Sequence, residues 1–389
     1  MNWYKAFQSI GYNAKICIEK KPYEMMNVSY IMKEISEFLP DIVFHVNYSI
    51  SHFFDESNIT KNMMWIMRYR DMCGMDFKGC DNMFISSMVK EWTDDLKDMG
   101  MDPERTMYIS DGVDCNVFAP SPRLAIRKEC DIVSVNNSGG DEFFRLTILL
   151  NMFESPIISG IAHELYAEVI EMSGREEFIF FDRSFEKMLA IKLAERGIDL
   201  NLESKSNIIR FLTLTVFSVY RRKVVEWIAD SGITRNIQVW GRGWGNFEKF
   251  KRYHMGLAKY GEQLSGIYGS SSISISDHPN IPVHERNFEI LASGGFPLVK
   301  YVEPENNENI DYITNHFREN EEIVLFYNKE DLLNKVQYYL DNPGERDRIA
   351  ENGRAVVLEK FTNIAVADAT IGFIKQYYQS LDKLMLRSN

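Results

Sequence analysis

Short β-branched runs alternate with amphipathic stretches along most of the chain, and this alternation limits the fold more than any other feature. Ala14–Glu19, Asp41–Val46, Asn62–Met67, Asn82–Ser86 and Thr106–Ser110 read as strands, with helical patterns such as Val28–Phe38 and Met88–Met99 between several of them. Strands that alternate with helices form βαβ units and a parallel sheet. A second series begins at Asp131–Val135 and resumes at Asn236–Trp240, Ser272–Ser276, Phe296–Lys300 and Ile323–Tyr327.

The first two strands of that second series lie about a hundred residues apart, against ~30 for an ordinary βαβ unit. The interval reads as helical over Phe143–Met152, Ile161–Met172 and Ser206–Asp230. The expectation is an α/β chain of two Rossmann-like domains facing a cleft, with turn-rich residues 111–123 between them. The first domain spans 1–122. The second spans 123–370 and contains a helical insertion at about 141–235. A C-terminal helix, 371–389 within a helical pattern that starts near Asn363, crosses back to the first domain. Ligands of open α/β sheets bind beyond the carboxyl ends of the strands.

At 389 residues the chain is long enough for more than one core. Its charge, 44 Lys and Arg against 56 Asp and Glu, gives −12 with no long basic run, which excludes a nucleic acid gripped through its phosphates. Five scattered cysteines without a Cys-x-x-Cys pair fit neither a disulfide framework nor a structural zinc site. The longest apolar stretch, Ile208–Tyr220, contains Arg210 and is shorter than the ~18–20 residues of a membrane span. With no signal-peptide core at Met1–Lys5, a cytoplasmic protein without a transmembrane segment is expected.

The segment Ser276–Val299 is the most informative. A strand ends at Ser276, a polar loop follows, a helix opens near His284–Glu285, and Gly294-Gly295 stop it before the next strand. The helix N-terminus would aim free N–H groups at the strand ends, where a diphosphate could lie. His284 and Arg286 add charge, and Glu289, one turn further, can accept hydrogen bonds from two vicinal ribose hydroxyls. An ordinary βαβ unit with a solvated charged face accounts for the same pattern. Gly241-Arg242-Gly243 follows another strand, but Asn246 stands where a dinucleotide fingerprint needs glycine.

The segment Arg286-Asn287-Phe288-Glu289-Ile290 followed by Ala-Ser-Gly-Gly-Phe-Pro-Leu-Val resembles the donor-binding segment of GT-B glycosyltransferases, in particular the CgeB-like members of the group 1 glycosyl transferases. The likeness extends through Val239–Trp244, Tyr260–Leu264, Ile267–Ser271, Asn342–Arg346, Asn352–Arg354 and Glu359–Thr362, and to the linker Asp111–Asp114 with Phe118–Pro120. It implies a glycosyltransferase that takes a nucleotide-sugar donor and a glycan, lipid-linked or protein acceptor, with no resident cofactor and no metal. The absence of any Asp-x-Asp agrees with that. The resemblance gives Glu289 the ribose and the amides of Glu285, Arg286, Asn287 and Phe288 the diphosphate. It puts Gly241, Arg242 and Gly243 near phosphate or sugar, and Tyr260 and Gly261 near the base. Domain closure would exclude water during transfer.

Two departures stand out. Retaining relatives carry a second glutamate well upstream, where this chain has Ile281 and Pro282; its nearest acid, Glu285, lies at i,i+4 to Glu289, and retention against inversion stays open. The chain also begins inside a helix, Trp3–Ile10, without the usual first strand and glycine loop. A base for an inverting reaction is sought in His45, near the end of its strand, or Asp71 after Arg68-Tyr69-Arg70; a satisfied strand histidine and a helix cap or ion pair are the plainer alternatives. Trp244 reads as a lid or as packing. A non-catalytic GT-B-like nucleotide-binding or scaffold protein is the alternative function.

Overall fold

The computed structural model describes residues 3–17, 28–46, 64–69, 83–90, 92–98, 100–121, 129–139, 142–151, 153, 155–173, 182–278, 283–301 and 311–387. Its strands are β1 (Ile42–Val46), β2 (Met64–Tyr69), β3 (Met83–Ser87), β4 (Thr106–Tyr108), β5 (Cys130–Val135), β6 (Ile237–Trp240), β7 (Ser271–Ser276), β8 (Pro297–Lys300) and β9 (Val324–Phe326). The helices up to the middle of the chain are α1 (Trp3–Ser9), α2 (Val28–Phe38), α3 (Trp92–Asp98), α4 (Glu142–Leu150), α5 (Pro156–Ser173) and α6 (Asp182–Glu195). Then come α7 (Leu202–Ser231), α8 (Glu262–Ser270), α9 (Glu285–Ala292), α10 (Lys329–Asp341), α11 (Pro343–Lys360) and α12 (Asn363–Arg387). Residues 12–17 form no strand, in contrast to the expectation for Ala14–Glu19; residues 18 and 19 lie outside the described residues.

The chain divides into two compact units. One holds Met1–Asp114, Asn309–Asp311 and Glu359–Asn389; the other holds Cys115–Glu308 and Tyr312–Leu358. The first unit contains a four-stranded sheet in the order β1-β2-β3-β4, parallel throughout. Trp3 and Ala6 of α1 cluster with Val366 and Ala367 of α12, and Ile374 packs with Phe84 and Met107. Trp3 and Ala6 are three residues apart and Ala367 and Ile374 seven, spacings that keep each pair on one apolar stripe of its helix.

The second unit is built on a five-stranded parallel sheet in the order β6-β5-β7-β8-β9. Its middle strand, β7, is buried along its whole length although four of its six residues are serines. Two of the hydroxyls are satisfied locally: Ser271 Oγ donates to Tyr268 O at 3.0 Å and lies 2.9 Å from Ser274 Oγ. The long interval before β6 folds as α4–α7, whose buried side chains join the core of the sheet. Val216, Tyr220, Val224 and Trp227 of α7 share one core with Ile132 of β5 and Ile237 of β6. Asn201 caps α7, its side chain accepting the Ser204 N–H at 2.8 Å, and Gly232 ends it in the left-handed conformation (φ 74°). Among the described residues, no helix is long and apolar enough to cross a membrane.

Candidate functional site

The strand order of the second unit reverses between β5 and β7, and in such sheets a crevice opens beyond the carboxyl ends of those two strands. The first residues past each strand, Asn136 and Asp277, meet there. Asn136 Nδ2 donates to both Asp277 carboxylate oxygens (3.1 and 3.2 Å) and to Ser134 Oγ (2.9 Å). Asp277 is fully buried, and the Arg286 guanidinium lies 3.4 Å from its Oδ1. A buried carboxylate needs such partners to stay charged. Neither Asn136 nor Asp277 stood out in the sequence; the available signal was a polar residue directly after each strand that flanks the reversal.

Helix α9 rises from this point. His284 is its N-cap, and its Nδ1 accepts the Arg286 N–H at 3.0 Å, which leaves the proton of the neutral ring on Nε2. The Asn287 N–H donates to His284 O at 3.0 Å. Two of the amides expected to cradle a diphosphate are therefore already engaged. The His278 and His284 rings lie 4.4 Å apart, and burial, with His284, Arg221 and Arg286 nearby, holds His278 well below its usual range.

Glu289 is one turn further on and 8% exposed. Burial, reinforced by Glu285, pushes its carboxyl up to about 8, while Arg286 and a hydrogen bond with Tyr260 oppose the rise. Tyr260 is 59% exposed, with its ring edge-on to Phe118 at 5.3 Å. Gly261 starts α8 at φ +109°. Phe288 points elsewhere: its ring is fully buried and stacked with Phe317 at 6.3 Å, so its contribution is to the core. Asn287 is buried as well. Glu285, the first residue of α9, is half-buried.

The loop after β6 adjoins the same place. Gly241 has φ +132°, and a Cβ there would stand 2.0 Å from the Asn136 carbonyl oxygen, so only glycine fits. The exposed Arg242 donates its N–H to Asn137 Oδ1 at 2.9 Å, and Gly243 adopts φ +86° to begin a short 3-10 turn. Trp244 is fully buried and donates Nε1–H to Asn136 O at 2.7 Å; it is packing, not a lid.

His284, Arg286, Glu289 and Tyr260 are thus gathered with Asn136, Asp277 and the 241–243 loop. His45 belongs to the other unit, on β1 opposite Met67, where burial draws its imidazole down to about 4. Asp71 lies outside the described residues. Among the described residues no group of three or more His, Cys, Asp or Glu is arranged to hold a metal ion.

Residues 221–372 match the protein family described as Glycosyl transferase-like. No curated protein is significantly similar to the chain in sequence. Solved structures with a related course include a glycosyltransferase from Rickettsia africae (14% identity, 96% of this chain and 87% of that one, TM-score 0.46). The Anabaena protein HepE, solved with UDP and glucose, matches at 9% identity over 90% of this chain and 81% of its own, with a TM-score of 0.44. Sucrose-phosphate synthase from Thermosynechococcus elongatus matches at 11% identity over 91% and 77%, with a TM-score of 0.46.

Proposed function

We propose that the chain, whose residues 221–372 match the family described as Glycosyl transferase-like, moves a sugar from a nucleotide-diphosphate donor held at the carboxyl ends of β5 and β7. The observation that carries this reading is the Asp277–Arg286–Glu289 cluster, which lies at the sheet reversal and inside the matched segment. Breaking the anomeric bond puts negative charge on the departing diphosphate and positive character on the sugar. A fixed guanidinium such as Arg286, backed by the α9 dipole, stabilises that leaving group.

Glu289 is the ribose ligand in this reading. A carboxyl pushed up to about 8 is mostly protonated at neutral pH and can both donate to and accept from a vicinal diol. Gly241, Arg242 and Gly243 let backbone approach the phosphate or sugar, Tyr260 and Gly261 adjoin the base, and Glu285 and His284 complete the helix end. The unit carrying β1–β4 takes the acceptor, and the transfer needs no metal. The test is release of nucleoside diphosphate from nucleotide-sugars: Glu289→Ala is expected to fold and lose it, and a fully active variant contradicts the site.

A further inference from the structure

The helices between β5 and β6 are expected to serve the donor site as well as the core. One face of α7 lies against the loop that follows β5. A Cβ on Gly139 (φ +92°) would fall 1.7 Å from Ser218 Oγ, so the loop runs directly along the helix. Arg222 Nη1 donates to Ser138 O at 2.8 Å, and its guanidinium lies 4.5 Å from the centre of the Phe247 ring. Phe217 sits 5.0 Å from His278. One turn on from Phe217, at the i+4 position on the same face, comes Arg221.

Arg221 is poorly satisfied for an arginine in such a place. Its Nε is buried without a hydrogen-bond partner among the described residues, and Nη1 makes one long bond, 3.5 Å, to Asn137 O. Its guanidinium lies 5.6 Å from the Phe217 ring and acts electrostatically on Asp277, Arg286 and His278. Burial lowers it to about 10, which still leaves it charged at neutral pH. Arg221 and Arg286 thus both act on one fully buried carboxylate, Asp277, with His278 held well below its usual range beside them. Helix α9 has two of its first amides, those of Arg286 and Asn287, already engaged by His284.

We propose that Arg221 is the second cation of the donor site, so that α7 supplies a diphosphate ligand opposite Arg286. The inference rests on the glycosyltransferase reading and deepens it. Arg221 would donate from Nε and Nη to a phosphate oxygen, an edge-on pairing suited to guanidinium and not to ammonium. A charged group kept with unmade hydrogen bonds costs stability in the free protein, and ligand binding recovers it.

The experiment measures binding of inorganic pyrophosphate, UDP, GDP, dTDP and ADP, and of the matching nucleosides, to the wild-type chain, Arg221→Met, Arg221→Lys and Arg286→Gln. Arg221→Met is expected to weaken the diphosphates at least tenfold, the loss of one charge-assisted hydrogen bond. Nucleoside affinity should stay within about twofold, and the Tm of the free protein should be equal or higher. An arginine with a purely structural role would instead lower that Tm and spare the difference between diphosphate and nucleoside. Should Arg221→Met fail to fold, Arg221→Lys carries the test, with diphosphate affinity expected to fall about threefold or more. Undiminished diphosphate binding in the Arg221 variants, with loss in Arg286→Gln, overturns the inference and leaves the function standing. No diphosphate binding to the wild-type chain overturns both.

Discussion

Asn136 and Asp277 are hydrogen bonded across the strand reversal of the second sheet, 3.1 and 3.2 Å from the Asn136 amide nitrogen to the two carboxylate oxygens. They are 141 residues apart in sequence, yet each is the first residue past a strand whose neighbour is the other's strand. The pair fixes the acid that positions Arg286. Asn136→Ala leaves Asp277 with one fewer donor in a fully buried position, an expected loss of about 1–3 kcal/mol of stability. Urea denaturation of the variant checks it, and an unchanged midpoint contradicts the assignment.

Replacing the acid itself is the harsher change. Asp277→Ala strands the Arg286 guanidinium, whose side chain is 12% exposed, without its counter-charge. Breaking one partner of such a pair costs about 3–5 kcal/mol. The variant is expected to lose most of its thermal stability, whereas Asp277→Asn retains more of the hydrogen bonding and falls between the two.

Glu289 gives stability a specific pH dependence. Its folded carboxyl stands at about 8 against 4.5 for the free side chain, so between those values the folded state binds a proton that the unfolded state has released. Stability therefore declines as pH rises from about 4.5 to about 8, by an amount on the order of 2–4 kcal/mol. Glu289→Gln removes the ionisation. It is expected to be more stable than wild type at pH 8 and close to it near pH 4.5, as read by denaturation across that range; parallel curves contradict the shift.

His45 acts in the opposite sense. Its imidazole is drawn down to about 4 from 6.5, so the unfolded state binds the extra proton between those values and stability rises with pH across that window. Proton NMR of the seven histidines should show two rings, His45 and His278, that stay neutral at pH 5.5. A ring so weakly basic makes a poor general base at neutral pH unless substrate changes its surroundings.

Much of this was legible in the residues because β-branched runs and amphipathic spacing report local structure directly. Eight of the nine strands among the described residues begin within one residue of their expected starts, and β2 begins two residues late. His284, Arg286 and Glu289 were readable because a helix start has a sequence signature. The Asn136–Asp277 pair was not, since it depends on which strands are neighbours, and strand order leaves no mark at either residue. The place of α7 was hidden for the same reason: its apolar face shows that it packs, not against what. The engagement of the α9 amides by His284 is a matter of side-chain geometry that the residue type alone does not fix.

Gly241 tests the local packing of the site. A methyl group there would meet the Asn136 carbonyl at 2.0 Å on a backbone at φ +132°, so Gly241→Ala is expected to destabilise by more than about 2 kcal/mol. Gly344, near the start of α11 with nothing within 4 Å, is the contrast: Gly344→Ala should be neutral or stabilise by up to about 1 kcal/mol.

Calorimetric titration of the wild-type chain and of Arg286→Gln with UDP, GDP, dTDP and ADP tests the donor site most directly. One nucleoside diphosphate should bind the wild-type chain and bind Arg286→Gln at least about tenfold more weakly, as loss of a charge-assisted contact requires. Binding of none of them, or equal binding to both proteins, would contradict a nucleotide-sugar site at the ends of β5 and β7.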